Sequence, residues 1–172
     1  MTKPFPTKNL RFFLPAPSPC PYLPGRKERK VFTALDGLDA GELHDVLTNA
    51  GFRRSQNIAY RPSCDACDAC ISARVPVEKF EFTRRWRKIM LRNADLTRAL
   101  RPAQATEEQF LLLRRYLASR HAEGGMADMT FTDFAAMGEE SAVHTHVVEY
   151  RYSDGPNRGE LAAAALVDAL GD

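Results

Sequence analysis

Three of the chain's four cysteines, Cys64, Cys67 and Cys70, stand at C-x-x-C-x-x-C spacing within Tyr60-Arg61-Pro62-Ser63-Cys64-Asp65-Ala66-Cys67-Asp68-Ala69-Cys70. Two such steps in a row curl a backbone so that three sulfurs can face one point. Cys20 lies 43 residues upstream, in Pro19-Cys20-Pro21-Tyr22-Leu23-Pro24-Gly25-Arg26, and is the natural fourth ligand. Four thiolates suit tetrahedral zinc or an iron–sulfur cluster, because thiolates are soft donors. A ferredoxin-type run would need another local cysteine where Arg74 stands. Any such center is therefore isolated and closed by a distant residue. Closing that loop costs about 3 kcal/mol plus a constant, and structural zinc binding, on the order of 10–16 kcal/mol, exceeds it. Buried apolar thiols are the competing explanation, but Asp65 and Asp68 between the cysteines do not suit an apolar core. A redox role through thiolates favoured by nearby Arg61 and Arg74 is a third.

The rest of the chain narrows the class. At 172 residues it can hold one domain or two small ones around a real core. Charge and then proline interrupt Leu10-Arg11-Phe12-Phe13-Leu14, so no secretory signal is visible. The longest apolar run, Leu161 to Val167, is too short to span a bilayer. Cysteines in such a chain favour metal or redox roles over a disulfide framework, and a cytoplasmic location is expected. The net charge of +2 hides an asymmetry. Residues 1–101 carry 19 Lys and Arg against 10 Asp and Glu, whereas 102–172 carry 5 against 12. An anionic partner is expected to meet the first part.

After a proline-crowded start (Pro4, Pro6, Pro15, Pro17, Pro19), Val31 to Leu35 reads as a strand. Asp39 to Ala50 reads as a helix, with Asp39 and Glu42 as a capping pair, Gly51 as its stop, and Leu43, Val46, Leu47 and Ala50 as its buried stripe. His44 falls off that stripe and is expected at the surface. Phe52 to Tyr60 reads as one strand, and Ile71 to Phe82 as an alternating strand with Pro76 at an edge or bulge. Thr83 can cap a helix from Arg84 to about Asn93, with Trp86, Ile89 and Met90 on a core-facing side. Asp95 to Leu100 is a short strand. Thr106 and Gln109 form a capping box for the helix Glu107 to His121, whose Phe110, Leu113 and Leu117 face the core and whose His121 suits the C-terminal dipole. A short helix around Thr132 to Met137 follows, then strands Val143 to Tyr152 and Leu161 to Leu170 joined by a turn. His144 and His146 on one strand face would suit a two-histidine metal pair, but no local carboxylate or thiol joins them, so a polar strand face is preferred.

Several of these stretches resemble a known family. Cys20-Pro21-Tyr22-Leu23-Pro24-Gly25-Arg26, Tyr60-Arg61-Pro62 with the cysteine triplet, and Arg74-Val75-Pro76-Val77 are similar to the N-terminal region of bacterial aspartate/glutamate leucyltransferases, relatives of the eukaryotic arginyl-tRNA–protein transferases. The likeness continues through Arg84 to Leu96 and Val147 to Asp172. The resemblance implies transfer of leucine from aminoacyl-tRNA to the N-terminal Asp or Glu of proteins, which marks them for degradation, with no cofactor for the transfer step. It also implies an α+β chain, with a cysteine-bearing N-terminal domain over 1–83. The first half of an N-acetyltransferase-like (GNAT-type) mixed sheet follows over 84–172. Ending on the turn residues Gly171 and Asp172, that second domain is expected to be incomplete.

The basic stretch Arg84, Arg85, Arg87, Lys88 and Arg92, followed by Arg98 and Arg101, is the expected tRNA surface, because neutralising phosphates releases counterions. Trp86 could stack on a base, but its companions Ile89 and Met90 make it a core residue. No Ser/His/Asp order, phosphate loop or paired carboxylates stand out, so no catalytic residue is assigned. That absence suits an aminoacyl ester, which is already activated and needs mainly alignment with an amine. The rival reading is a noncatalytic four-cysteine metal module that binds RNA; arginyl rather than leucyl transfer is the nearer alternative.

Overall fold

The computed structural model describes residues 10–171; Pro4, Pro6 and Asp172 lie outside them. The chain forms two compact units. One holds the described residues through Arg74 with Ala142–His144 and Leu170 onward, and the other holds Val75–Ser141 and Thr145–Ala169.

In the first unit, β1 (Ser18–Pro19) and β2 (Lys27–Glu28) make a small antiparallel ladder. Its loop carries Cys20 and closes on a hydrogen bond from Arg26 N to Leu23 O at 3.2 Å. Pro24 presets one turn position and Gly25, at φ 73°, supplies the left-handed one that a type II turn requires. β3 (Lys30–Ala34) follows, then α1 (Ala40–Asn49), β4 (Arg53–Ser55) and β5 (Ile58–Pro62). The sheet order is β3-β5-β4, all antiparallel. Leu35, Ala40, Leu43, Leu47, Phe52 and Ala59 form the core between helix and sheet. α1 ends in a Schellman motif: Phe52 N bonds Leu47 O at 2.9 Å and Gly51 N bonds Thr48 O at 3.0 Å. Gly51, at φ 85°, takes the left-handed position, and Phe52 and Leu47 supply the apolar contact.

Three expectations fail in this unit. Asp39 makes no side-chain cap bond, because its backbone (φ −96°, ψ 10°) lacks the extended geometry that aims a cap side chain at the first turn. His44 is buried, at 5 % exposure, beside the Leu43 and Leu47 stripe. Phe52 to Tyr60 is a tight hairpin rather than one strand, reversing at Gln56 (φ 51°).

The second unit opens on an irregular segment. Val77–Lys79 forms a single 3-10 turn, and residues 71–82, which begin at the end of the first unit, are all exposed and form no strand, so the alternating strand expected there is absent. Pro76 has no amide to give to a ladder. α2 (Arg84–Arg92) has no buried residue. Trp86 is 42 % exposed and packs in an aromatic group with Phe80 (5.5 Å), itself against Phe82 (5.2 Å); the core role expected for it does not hold.

Then come β6 (Leu96–Pro102), α3 (Glu107–Arg120), α4 (Phe131–Glu139), β7 (Thr145–Tyr152) and β8 (Leu161–Asp168). The strands form an antiparallel meander, β6-β7-β8. Both helices begin with complete capping boxes, Thr106 with Gln109 and Thr130 with Asp133. The order strand, helix, helix, strand, strand is the one the sequence pattern predicts. β7 and β8 are shorter than that pattern, and the side-chain bond Thr145 Oγ1 to Asp168 Oδ1 (2.8 Å) marks their shared end. The architecture is mixed α and β, with three small sheets among the described residues.

Candidate functional site

Three groups of polar side chains are candidates, each within one unit. In the first, Cys64 and Cys67 face each other across a tight turn, joined by an isolated antiparallel bridge. Arg29 holds this turn: its amide donates to Cys64 Sγ at 3.5 Å, its carbonyl accepts from Ser63 N at 2.8 Å, and its guanidinium reaches Asp65 at 3.3 Å. Because Arg29 directly follows β2, the hairpin carrying Cys20 leads straight to the Cys64 turn. Cys20, Cys64 and Cys67 are partly exposed and Cys70 is exposed; none of the four is in a disulfide.

Among the described residues no three His, Cys, Asp or Glu side chains stand in a metal-holding arrangement. As placed, the four cysteines do not fit a closed zinc or cluster site, although the Cys64–Cys67 turn, with a backbone N–H aimed at sulfur, has the form of half of one. His144 is exposed and precedes β7, whereas His146 lies within it, so the two do not share a strand face as a pair.

The second group is α2. Arg84, Arg85, Lys88 and Arg92 line one shallow side of the helix with Ile89. Arg87 is exposed on the same helix. No acidic residue occupies the first turn, so Arg84 and Arg85 add to the positive end of the helix dipole instead of offsetting it. That arrangement costs helix stability and concentrates positive potential.

The third group is not visible in the sequence pattern. Glu149, only 4 % exposed, accepts from Gln109 Nε2 at 2.9 Å and Arg151 Nε at 3.1 Å, with Arg101 Nε at 3.5 Å. Burial pushes its carboxyl up, but the hydrogen bonds from Gln109 and Arg151 outweigh that and hold it below the usual glutamate range. Glu108 is lowered as well, first by its hydrogen bonds with Arg151. The one available signal is the alternation Val147, Glu149, Arg151 on one face of a strand, with Gln109 already identified in a capping box. The network ties α3 to β6 and β7. All its members are satisfied, which makes it a structural brace rather than a poised acid or base.

The class follows from the N-terminal half of the chain. Residues 18–88, which include the Cys20 turn, the first sheet and the cysteine triplet, match the family described as arginine-tRNA-protein transferase, N terminus. Over its whole length the chain is 61 % identical to the aspartate/glutamate leucyltransferase of Phenylobacterium zucineum (strain HLK1), covering 67 % of that protein. It is 58 % identical to that of Caulobacter vibrioides (strain NA1000 / CB15N), covering 62 %, and 58 % identical to that of Maricaulis maris (strain MCS10), covering 66 %. The chain belongs to the aspartate/glutamate leucyltransferase family, and it spans about two thirds of the length of these relatives.

Proposed function

We propose that this chain carries out, as part of a protein of the relatives' length, the transfer of leucine from leucyl-tRNA to the N-terminal Asp or Glu of proteins, creating a signal for degradation in the cytoplasm. The observation that carries this is the exposed basic face of α2 in a chain whose relatives are named for transfer of leucine to these two residues. Arg84, Arg85, Arg87, Lys88 and Arg92 contact tRNA phosphates in this reading. The neutral α-amine of the acceptor attacks the aminoacyl ester carbonyl, a peptide bond forms, and the tRNA 3′ oxygen leaves. The ester is already activated, so alignment and donors to the oxyanion supply the main help. A cationic side chain of the basic half pairs with the acceptor's acidic side chain.

The meander with two helices between its first strands supports a GNAT-type acyltransferase domain over 84–172, preceded by a transferase domain over 1–83. A zinc or iron–sulfur center is proposed for the Cys64–Cys67 turn, with Cys70 and Cys20 as the ligands it would have to recruit. No helix among the described residues is long and apolar enough to cross a membrane.

The test is incubation with radiolabelled leucyl-tRNA and peptides beginning Asp, Glu or Ala, for this chain and for a protein extended to the relatives' length. Leucine should reach the Asp and Glu peptides only. Binding of tRNA without transfer by the extended protein would favour a noncatalytic RNA-binding module.

A further inference from the structure

In the second unit, α3 and α4 stand off the face formed by β7 and β8 and flank a half-open cavity of about 420 Å³. Its size falls within the range of small-molecule sites. Leu112, Leu113, Phe134, Met137, Ala164 and Leu166 are among the apolar side chains of its wall. Three polar side chains lie on the wall: Gln109 donates to Glu149 at 2.9 Å, the Tyr116 hydroxyl lies 3.2 Å from His121 Nε2, and Gln104 is exposed to solvent and carries no charge. Glu149 in turn is matched by Arg151 and Arg101. The carboxylate behind this wall is therefore already neutralised. A guanidinium entering the cavity would lose its hydration and find no charge to meet, which disfavours it. An aliphatic group would lose only apolar hydration.

We infer that this cavity receives the leucyl side chain of the donor, and that Leu112, Leu113, Met137 and Ala164 set its preference for a branched aliphatic group over a cationic one. Gly138 keeps α4 close to this wall, since a Cβ there would meet Ala103 O at 3.1 Å and Leu166 Cδ1 at 3.4 Å. The inference rests on the transferase reading above and adds to it the residues that choose the amino acid.

The experiment uses adenosine carrying leucine on a 3′ amide, a stable mimic of the charged tRNA end, with arginyl and phenylalanyl counterparts, and methyl-labelled protein followed by NMR. The leucyl compound should shift the methyl signals of Leu112, Leu113, Met137, Ala164 and Leu166, and bind at least about tenfold more tightly than the arginyl one. Ala164→Leu should weaken leucyl binding about tenfold by filling the cavity. Met137→Ala should enlarge it and favour the phenylalanyl compound, with dispersed spectra confirming that both variants fold. Shifts confined to other methyls, equal binding of leucyl and arginyl compounds, or no binding at millimolar concentration would each overturn the assignment. Those outcomes together with successful leucine transfer would refute the cavity alone. Absence of transfer by the extended protein refutes the parent reading.

Discussion

Arg151 holds Glu108 through two parallel bonds, Nη2 to Oε2 at 2.6 Å and Nη1 to Oε1 at 3.0 Å, while its Nε turns to the buried Glu149 at 3.1 Å. One planar guanidinium thus joins the first turn of α3 to the central strand β7. Lysine cannot make that fork. Arg151→Lys should destabilise the protein by about 2 kcal/mol, because Glu149 keeps its burial and loses a donor. Urea unfolding followed by circular dichroism would measure it; an unchanged midpoint would show that the network braces nothing.

The same network sets a pH dependence. Glu149 and Glu108 both titrate below the usual glutamate value in the folded protein. The unfolded chain therefore binds more protons than the folded one in that interval, and stability rises with pH across it. The contribution is complete above the unfolded glutamate pKa of about 4.3 and is lost as pH falls through the lowered folded values. Unfolding free energies between pH 3 and 7 should show that fall, and Glu149→Gln should flatten it. Parallel curves for the two proteins would contradict it.

How much of this is legible in the sequence depends on whether local chemistry or tertiary context decides each element. The α3 capping box and the Gly51 stop of α1 are local devices, and they appear as the residues predict. The order from β6 to β8 follows from periodicity and turn residues, which are also local. Gln56 gives no warning, because a glutamine at positive φ is held there by the closing ladder of β4 and β5, with Arg54 Nη1 bonding its carbonyl at 2.7 Å. His44 is misplaced by its polarity, which says nothing of the width of the buried face. Trp86 is misplaced because an apolar helical face says what a side chain could bury, not whether anything lies over it. The alternation of Ile71, Ala73, Val75 and Val77 finds no neighbouring strand among the described residues. Of the candidate sites, the basic helix and the Cys64–Cys67 turn are readable, while the cavity and the Glu149 network depend on elements far apart in sequence.

Salt dependence tests the basic helix. If α2 contacts tRNA phosphates, the logarithm of affinity should fall linearly with the logarithm of salt concentration. Replacing Arg84, Arg85 and Arg87 with glutamate should reduce the slope by roughly one for each phosphate left without its arginine. Because all three are exposed, the variant should fold normally. An unchanged slope would place the tRNA surface elsewhere.

The thiols make a separate prediction. Protein purified without oxygen should carry about one zinc ion or one cluster, seen by metal analysis and the visible spectrum, if Cys70 and Cys20 close on the Cys64–Cys67 turn. Cys67→Ser should then lose the metal and lower stability. Four thiols titrating freely with no metal present would exclude a resident center.

The free edge of β8 yields the last prediction. β7 is its one partner among the described residues, so the other side of its backbone presents a row of amide and carbonyl groups. From Leu161 to Val167 the strand is wholly apolar, with Leu166 42 % and Val167 36 % exposed. Natural edge strands are commonly guarded by lysine, proline or a bulge, because an open apolar ladder invites another strand. Here the register shift lies at Tyr150 and Arg151, opposite the beginning of β8, and leaves the stretch from Ala163 to Val167 regular. The 172-residue chain should therefore associate edge to edge as its concentration rises. Ala165→Lys adds a charge to this exposed stretch without removing a buried side chain, and should suppress the association while leaving the fold intact. Sedimentation velocity across a hundredfold concentration range would show a growing fast species for the parent chain and a single monomer for the variant. A parent chain that stays monomeric throughout would show that the edge is protected.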